Sequence, residues 1–179
     1  GTAVSTMPFI DLKAQYKRLK PQIDAAIHEV LDDGQYVLGP YIKRFESELA
    51  EFCGVKHVVT VASGTDALFI PMLALGIGRG HAVFVPAFTY TATAEVILLA
   101  GASPVFVDVD PGTFNIDMTD LERKIAAVKA AGKLEPKAIL AVDLFGLPAD
   151  WAALNRISQS HGLQLISDAA QSFGGMLAN

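Results

Sequence analysis

The sequence is poor in cysteine, since Cys53 is the only one among its 179 residues. A lone thiol cannot form an internal disulfide, which excludes a disulfide-rich secreted scaffold and suits a reducing compartment. Long apolar runs are lacking as well, because the longest, at residues 94–102, is far short of the ~20 residues that cross a bilayer. These absences predict a cytoplasmic protein that does not associate with a membrane.

Basic residues are in the minority, with 14 Lys and Arg against 19 Asp and Glu and a net charge of −5. Because no basic stripe could track a phosphate backbone, nucleic acid is not an expected partner. The four histidines lack the spacing of metal ligands, and no serine lies in a G-x-S-x-G elbow. Neither a metal site nor a serine hydrolase is therefore expected.

The first six residues, GTAVST, lack the charged region and the apolar stretch of a signal peptide. We interpret residues 1–6 as a cloning remnant or a frayed terminus. Residues 7–179 contain no low-complexity tract, internal repeat or linker, and no closing helix is predicted after the last strand. We therefore expect these residues to form one domain that is incomplete at its carboxyl end.

Apolar residues recur at helical spacing between Pro21 and Phe52 with a turn at residues 32–40, which predicts two amphipathic helices. From His57 onward, short β-branched runs alternate with helical stretches. The predicted strands cover residues 57–63, 82–87, 103–109, 137–145 and 163–169, and helices are expected to begin near Thr65, Thr89, Met118 and Ala149. Strands that are apolar on both faces and separated by helices predict the α/β class, with a mostly parallel sheet flanked by helices.

The carboxyl ends of parallel strands meet at one edge of the sheet, where ligands bind in such folds. At residues 62–68 the sequence ASGTDAL leads from a predicted strand into a helix through small residues. Gly64 would let a ligand approach the backbone, Thr65 offers a hydroxyl, and the first N–H groups of the helix attract anions, most naturally a phosphate. The alternative is that Ser63 and Thr65 only cap the helix, which is the commoner role of an isolated S-G-T.

Aromatic and acidic residues follow other strands at the same edge. Phe88 and Tyr90 lie two apart, and one of the rings could stack on a planar ligand, although core packing is the commoner role of an aromatic residue. Asp108, Asp110 and Asp143 are expected to accept hydrogen bonds from nearby backbone N–H groups in loops or caps. By themselves these residues identify no ligand.

Asp168 directly follows the apolar run of the last predicted strand. A carboxylate beside a buried strand is costly unless it is paired or hydrogen-bonded, so Asp168 should have an N–H or a cationic partner. That partner could belong to the protein or could be the cation of a bound ligand. The residues alone leave both possibilities open.

Five segments in order resemble the sugar-nucleotide aminotransferases of the DegT/DnrJ/EryC1/StrS family. They are PFIDLKAQY (8–16), GQYVLGPYIKRFESELAEF (34–52), SGT (63–65), PAFTYTATAE (86–95) and DAAQSFG (168–174). The resemblance runs from about Phe9 to Gly174 and covers the amino-terminal half of a family member. It implies an amino-terminal segment and most of the large domain of a fold type I transferase that uses pyridoxal 5′-phosphate (PLP), with a particular likeness to enzymes that aminate UDP-linked 3-keto or 4-keto sugars for surface polysaccharides.

The resemblance also assigns site residues. Asp168 would face the pyridine nitrogen of PLP and keep it protonated, so that the ring can accept electrons. Gln171 matches the position that bonds the 3′-oxygen of PLP, and Tyr90 matches the aromatic ring stacked on the pyridine, with Phe88 as the second choice. The positions that hold the phosphate are matched by Gly64, Thr65 and the backbone N–H of Asp66.

The activity that the resemblance implies is amino transfer, with glutamate as the expected donor, to a nucleotide-linked keto sugar by a homodimer that shares each active site. The catalytic lysine of the family is expected downstream of the DAAQ motif, beyond residue 179, and none of the lysines present fits that role. A few relatives carry histidine there and dehydrate the sugar instead. At Asp143 many relatives have histidine or serine, which leaves the local substrate contacts open.

Three alternatives therefore stand beside an aminotransferase. The first is the PLP-dependent sugar-nucleotide dehydratase of the same family, and the second is a non-catalytic module that binds a sugar nucleotide or a phosphate. The third is a dehydrogenase on a Rossmann sheet, which is disfavoured because the glycines of GIGRG, residues 76–80, follow a helix and precede a strand. That order is the reverse of a dinucleotide site and predicts a turn.

Overall fold

A computed structural model of the chain describes residues 9–177, so the predicted terminus at residues 1–6 lies outside the described residues. The chain divides into two compact units, one ending at Thr60 and the other beginning at Val61. No helix in the described range is long and apolar enough to span a membrane.

The first unit contains two helices, α1 (Leu12–Asp33) and α2 (Pro40–Cys53). α1 begins well before the predicted start at Pro21, because Asp11 caps it by accepting a hydrogen bond from the N–H of Ala14 at 2.9 Å. Pro21 lies inside this helix and does not end it. The turn predicted between the two helices is confirmed.

The strand predicted at residues 57–63 is wrong, because these residues form no strand. An extended segment becomes a strand only by pairing, and none of the described strands pairs with this one. The Thr60 N–H donates to Glu46 Oε1 at 2.8 Å instead, and Val59 is 76% exposed. β-branched composition favours a strand only where a partner and a buried face are available.

The second unit is a four-stranded parallel sheet in the order β2-β1-β3-β4, which confirms the predicted α/β class. Its strands are β1 (His81–Pro86), β2 (Ser103–Val107), β3 (Glu135–Val142) and β4 (Gln164–Asp168). Its helices are α3 (Gly64–Ala74), α4 (Ala92–Leu99), α5 (Met118–Ala131) and α6 (Trp151–His161). The turn predicted at residues 76–80 is confirmed, and Gly76 and Gly80 adopt positive φ there.

Apolar side chains cover both faces of the sheet, as the continuous apolar strands predict. Successive residues of β1 point to opposite faces, so Val83 and Val85 pack with α3 and α4, whereas Phe84 packs with α5 and α6. Each cluster includes buried residues from the neighbouring strands, Leu140 on the first face and Ile139 on the second. The two layers of helices hold the sheet's carboxyl edge and its loops in place.

Two of the acids at this edge have the loop roles that their positions predict. Asp110 Oδ1 accepts from the N–H groups of Gly112 at 2.8 Å and Thr113 at 2.9 Å. Asp108 Oδ1 accepts from the Val109 N–H at 2.8 Å. These carboxylates organise turns of the backbone, and the prediction for both is confirmed.

Candidate functional site

A pocket of about 430 Å³ lies at the carboxyl edge of the sheet, between the start of α3 and the end of β4. Pockets that hold small ligands are commonly of this size, roughly 300–1,000 Å³. Its lining includes Gly64, Thr65, Tyr90 and Asp168. Tyr90 and Asp168 meet because β1 and β4 both end at this edge, and the start of α3, which follows no strand of the described chain, lies beside them although it is about a hundred positions from Asp168 in sequence.

The start of α3 divides its polar groups between a cap and the pocket. Ser63 is the cap, since its Oγ accepts from the Asp66 N–H at 3.1 Å. The protein therefore already uses the Asp66 N–H, and Asp66 does not line the pocket. In the described range the N–H groups of Gly64 and Thr65 have no protein acceptor, so they are the two that an anion in the pocket would meet at the positive end of the helix.

Gly64 is not explained by the protein's own packing. A Cβ built at this position would have no protein atom within 4 Å, and the backbone does not adopt positive φ there. Glycine lowers helix stability relative to other residues, so its presence at the first position of α3 needs another reason. Close approach of a ligand to the backbone in the pocket provides one.

Asp168 ends β4 with its side chain half-buried in the pocket wall. Its Oδ2 accepts from Thr93 Oγ1 at 3.1 Å, and its Oδ1 accepts from the Ala170 N–H at 3.3 Å. None of the ion pairs found between residues 9 and 177 includes Asp168. The predicted N–H partner is present, and the described part of the protein supplies no cation to this carboxylate.

Thr93 is a site residue that sequence reasoning missed. Its side chain is completely buried on α4, and its Oγ1 lies 3.2 Å from Thr89 Oγ1 as well as 3.1 Å from Asp168 Oδ2. Thr89 lies before α4, which begins at Ala92 and not near Thr89 as predicted, so helical spacing of the two threonines gave no reliable signal. The contact between Thr93 and Asp168 at the end of β4 depends on how α4 packs against the sheet, which the sequence does not reveal.

The two aromatic candidates lie in different surroundings. Tyr90 lines the pocket and is 75% exposed. Phe88 does not line it, and its ring packs against Phe114 and Phe145 with centroid separations of 5.9 and 6.2 Å. The geometry therefore favours Tyr90 over Phe88 as the ring beside a ligand.

Gln171 lies outside the pocket lining, three residues after Asp168. Its side-chain Oε1 accepts from the Phe145 N–H. This bond uses the oxygen of the amide, so the donating end of the side chain is its NH₂ group. A ligand acceptor that reaches Gln171 can therefore be met by this NH₂ group.

Asp143 has the predicted loop role and contacts side chains that the sequence did not predict. It is only 5% exposed, and its Oδ1 accepts from the Ala149 N–H at 2.8 Å and from Trp151 Nε1 at 3.1 Å. Its Oδ2 accepts from Ser172 Oγ at 2.7 Å. Three donors thus compensate the burial of this carboxylate.

The described residues that line this pocket include no acidic, basic or thiol group other than Asp168. No lysine of the described residues lines it. Groups of His, Cys, Asp or Glu that could hold a metal ion are not found in the same part of the chain. The site consists of a helix start with open N–H groups, one aromatic ring, and one carboxylate held by a buried hydroxyl.

A parallel α/β domain with an anion-attracting helix start opposite a strand-end carboxylate defines a class of proteins that bind phosphorylated ligands at a sheet edge. The family model of the DegT/DnrJ/EryC1/StrS aminotransferases matches residues 17–179. The chain belongs to this family, which confirms the family predicted from the sequence.

Individual relatives agree with the family match. The chain is 49% identical over 166 residues to the UDP-2-acetamido-2-deoxy-3-oxo-D-glucuronate aminotransferase of Pseudomonas aeruginosa, covering 93% of this chain and 44% of that protein. A crystal structure of a DegT DnrJ EryC1 StrS aminotransferase from Brucella abortus superposes with a TM-score of 0.92 at 53% identity, covering 94% of this chain and 45% of that one.

A third relative was solved with a cofactor. The crystal structure of ntda from Bacillus subtilis with bound cofactor PMP matches with a TM-score of 0.86 at 33% identity, covering 96% of this chain and 38% of that one. The chain thus spans less than half the length of these three relatives. The likeness to these structures confirms the predicted PLP-transferase fold.

Proposed function

We propose that the chain forms the cofactor-binding half of a PLP-dependent aminotransferase that acts on a nucleotide-linked keto sugar. One observation carries the proposal: Gly64 and Thr65, whose N–H groups have no protein acceptor in the described chain, line the same pocket as Asp168. Asp168 has no cationic partner among the described residues. PLP has the complementary chemistry, a phosphate at one end and a basic ring nitrogen at the other. The name of the Pseudomonas aeruginosa relative supports the substrate class.

Asp168 would hold the ring nitrogen in its protonated form. An anionic carboxylate next to that nitrogen favours the charged pyridinium, and bound PLP then supplies an electron sink when an amino acid loses its Cα proton. Thr93 donates to Asp168 Oδ2 from a fully buried position and so fixes the plane of the carboxylate. Asp168 would therefore act electrostatically, without moving a proton itself.

The start of α3 would hold the phosphate. The N–H groups of Gly64 and Thr65 and the hydroxyl of Thr65 offer donors, and the helix dipole adds a favourable potential for the anion. The Asp66 N–H would have to be shared with Ser63 Oγ, to which it donates at 3.1 Å. We therefore propose Gly64 and Thr65 as the main phosphate contacts, and the Asp66 N–H as a weaker contact.

Tyr90 and Gln171 would orient the ring. Tyr90 can stack on the pyridine from the pocket wall, and the Gln171 NH₂ group can donate to the 3′-oxygen of PLP. The bond from the Phe145 N–H to Gln171 Oε1 supports this polarity, because it uses the amide oxygen and leaves the NH₂ group as the donating end.

The remaining features of the proposal are supported by family membership alone. They are glutamate as the amino donor, a homodimer, surface-polysaccharide biosynthesis in the cytoplasm, and residues 7–179 as an amino-terminal segment with most of the large domain. The residue that would bind PLP covalently is not among the lysines described here, none of which lines the pocket.

The proposal is tested on the complete gene product. Adding PLP should produce a visible absorbance band, and borohydride should convert the cofactor to a stable covalent adduct. With isotopically labelled glutamate and a UDP-linked 3-keto sugar, the label should appear in an amino sugar. Loss of water from the sugar, with neither a borohydride adduct nor incorporation of the label, would indicate the dehydratase, whose histidine forms no Schiff base. Absence of any reaction of the sugar in the presence of PLP would leave only the binding module.

Tyr90→Ala should weaken PLP binding about two- to twelve-fold, because stacking on an aromatic ring contributes roughly 0.5–1.5 kcal/mol beyond burial. Tyr90→Phe keeps the ring and should bind PLP like the wild type. The affinity is measured by titrating PLP into the protein and following absorbance.

Phe88→Ala is the matched control, since Phe88 is two residues away and contacts Phe114 and Phe145 instead of the pocket. It should leave PLP affinity unchanged. If Phe88→Ala weakened binding and Tyr90→Ala did not, the assignment of the stacking ring would have to be exchanged.

A further inference from the structure

The loop that follows Asp168, residues 169–177, has one buried residue. This β4 loop carries Gln171, and all its described residues are exposed except Ser172, which is 9% exposed. A loop without buried apolar residues opens locally at low cost unless specific polar bonds hold it. Ser172 is therefore a buried position at which the β4 loop can be fixed to the rest of the sheet edge.

The partner of Ser172 is a buried charge. Ser172 Oγ donates to Asp143 Oδ2 at 2.7 Å, and Asp143 itself is 5% exposed. Hydrogen bonds to an ionised acceptor are shorter and about twice as strong as neutral ones. The bond thus joins the β4 loop to the residue that directly follows β3.

Backbone contacts continue the same junction around Gln171. The Asp143 N–H donates to the Asp168 carbonyl at 3.1 Å, which extends the β3–β4 pairing by one residue. The Phe145 N–H donates to Gln171 Oε1. A Cβ on Gly146 would lie 3.1 Å from the Gln171 carbonyl oxygen, so the two loops are in close contact there.

The other carboxylate oxygen of Asp143, Oδ1, accepts hydrogen bonds from a different part of the chain. Its Oδ1 accepts from the Ala149 N–H at 2.8 Å and from Trp151 Nε1 at 3.1 Å, and both donors belong to its own loop and the start of α6. One oxygen therefore organises the loop after β3, and the other reaches across to the β4 loop. Substitutions that remove one donor at a time can therefore distinguish the effect of the Oδ1 bonds from that of the Oδ2 bond.

We propose that Asp143 is a positioning residue for the cofactor, acting through Ser172 to fix the β4 loop and with it Gln171 and the backbone after Asp168. The inference rests on the proposed PLP function for its effect on the cofactor. It does not depend on that function for its effect on the loop. Asp143 does not line the pocket, so it acts on the pocket through its backbone bond to the Asp168 carbonyl and through Ser172.

The test compares Ser172→Ala with Trp151→Phe in the complete gene product, because each variant removes one donor from the same carboxylate. Ser172→Ala should weaken PLP binding about ten-fold, and Trp151→Phe should leave it within about two-fold of wild type, since the two bonds hold different elements. Hydrogen exchange in the absence of PLP should become faster at residues 169–177 in Ser172→Ala alone.

Asp143→Asn is a conservative substitution that should preserve the hydrogen bonds of position 143. Its side-chain oxygen can still accept from Ala149 and Trp151, and its NH₂ group can donate to Ser172 Oγ, which as a hydroxyl can also accept. PLP affinity in this variant should lie closer to that of the wild type than to that of Ser172→Ala.

Equal loss of PLP affinity in Ser172→Ala and Trp151→Phe, or no loss in either, would overturn the inference. If the wild-type protein did not bind PLP at all, the proposed function would fail by itself. The exchange measurement would then still decide whether the bond from Ser172 to Asp143 fixes the β4 loop, and unchanged exchange in Ser172→Ala would overturn that part too.

Discussion

Replacing Asp168 by alanine should lower the kcat of the complete enzyme about a hundred-fold or more, which is the typical effect of removing one preorganised electrostatic group from an active site. The physical reason is the loss of a carboxylate that would keep the ring nitrogen protonated, since no other described residue of the pocket lining carries a charge. The measurement is steady-state turnover with glutamate and a UDP-linked keto sugar at saturating PLP, so that weaker cofactor binding does not limit the rate.

Asp110→Asn is the matched control for this prediction. Asp110 is another carboxylate at the same sheet edge, but it accepts from the N–H groups of Gly112 and Thr113 and does not line the pocket proposed for PLP. The asparagine oxygen can still accept those bonds, so turnover should stay near that of the wild type. Near-normal turnover of Asp168→Ala with PLP bound would remove the electron-sink role of this residue.

Asp168 also illustrates what could be predicted from the sequence. An acid after a buried strand needs a partner, and a small-residue junction such as residues 63–65 marks a strand-to-helix turn. Both features were expected to meet at the carboxyl edge of a parallel sheet, although residues 57–63, predicted as the strand before the junction, form no strand. The pocket that includes Gly64, Thr65 and Asp168 agrees with the expected meeting of these residues.

The features that could not be predicted depend on contacts between distant segments. Thr93 reaches Asp168 across 75 positions, and Ser172 reaches Asp143 across 29. Residues 57–63 have the composition of a strand, but strand formation depends on a partner that composition does not reveal. The Asp66 N–H was assigned to a phosphate from the resemblance, although Ser63 of the same turn already accepts from it.

Thr65→Glu should weaken PLP binding about a hundred-fold or more, because it places a negative charge beside the site proposed for the phosphate. Two unit charges 4 Å apart interact with about 4 kcal/mol at the effective dielectric constant near a protein surface. The helix itself should not suffer, since an acidic residue in the first turn interacts favourably with the helix dipole. PLP affinity and thermal unfolding in the absence of PLP are measured on the same preparation.

Thr119→Glu is the control, because α5 begins in the same way as α3. Thr65 and Thr119 are both exposed second residues of a helix, each with an aspartate next in sequence whose N–H donates to the capping side chain, Ser63 in α3 and Asp117 in α5. The two variants therefore make the same change in charge and helix propensity, and they differ in that Thr65 lines the pocket proposed for PLP. Equal PLP affinity in both would mean that the S-G-T sequence only caps α3, and a loss confined to Thr65→Glu would identify the start of α3 as the phosphate site.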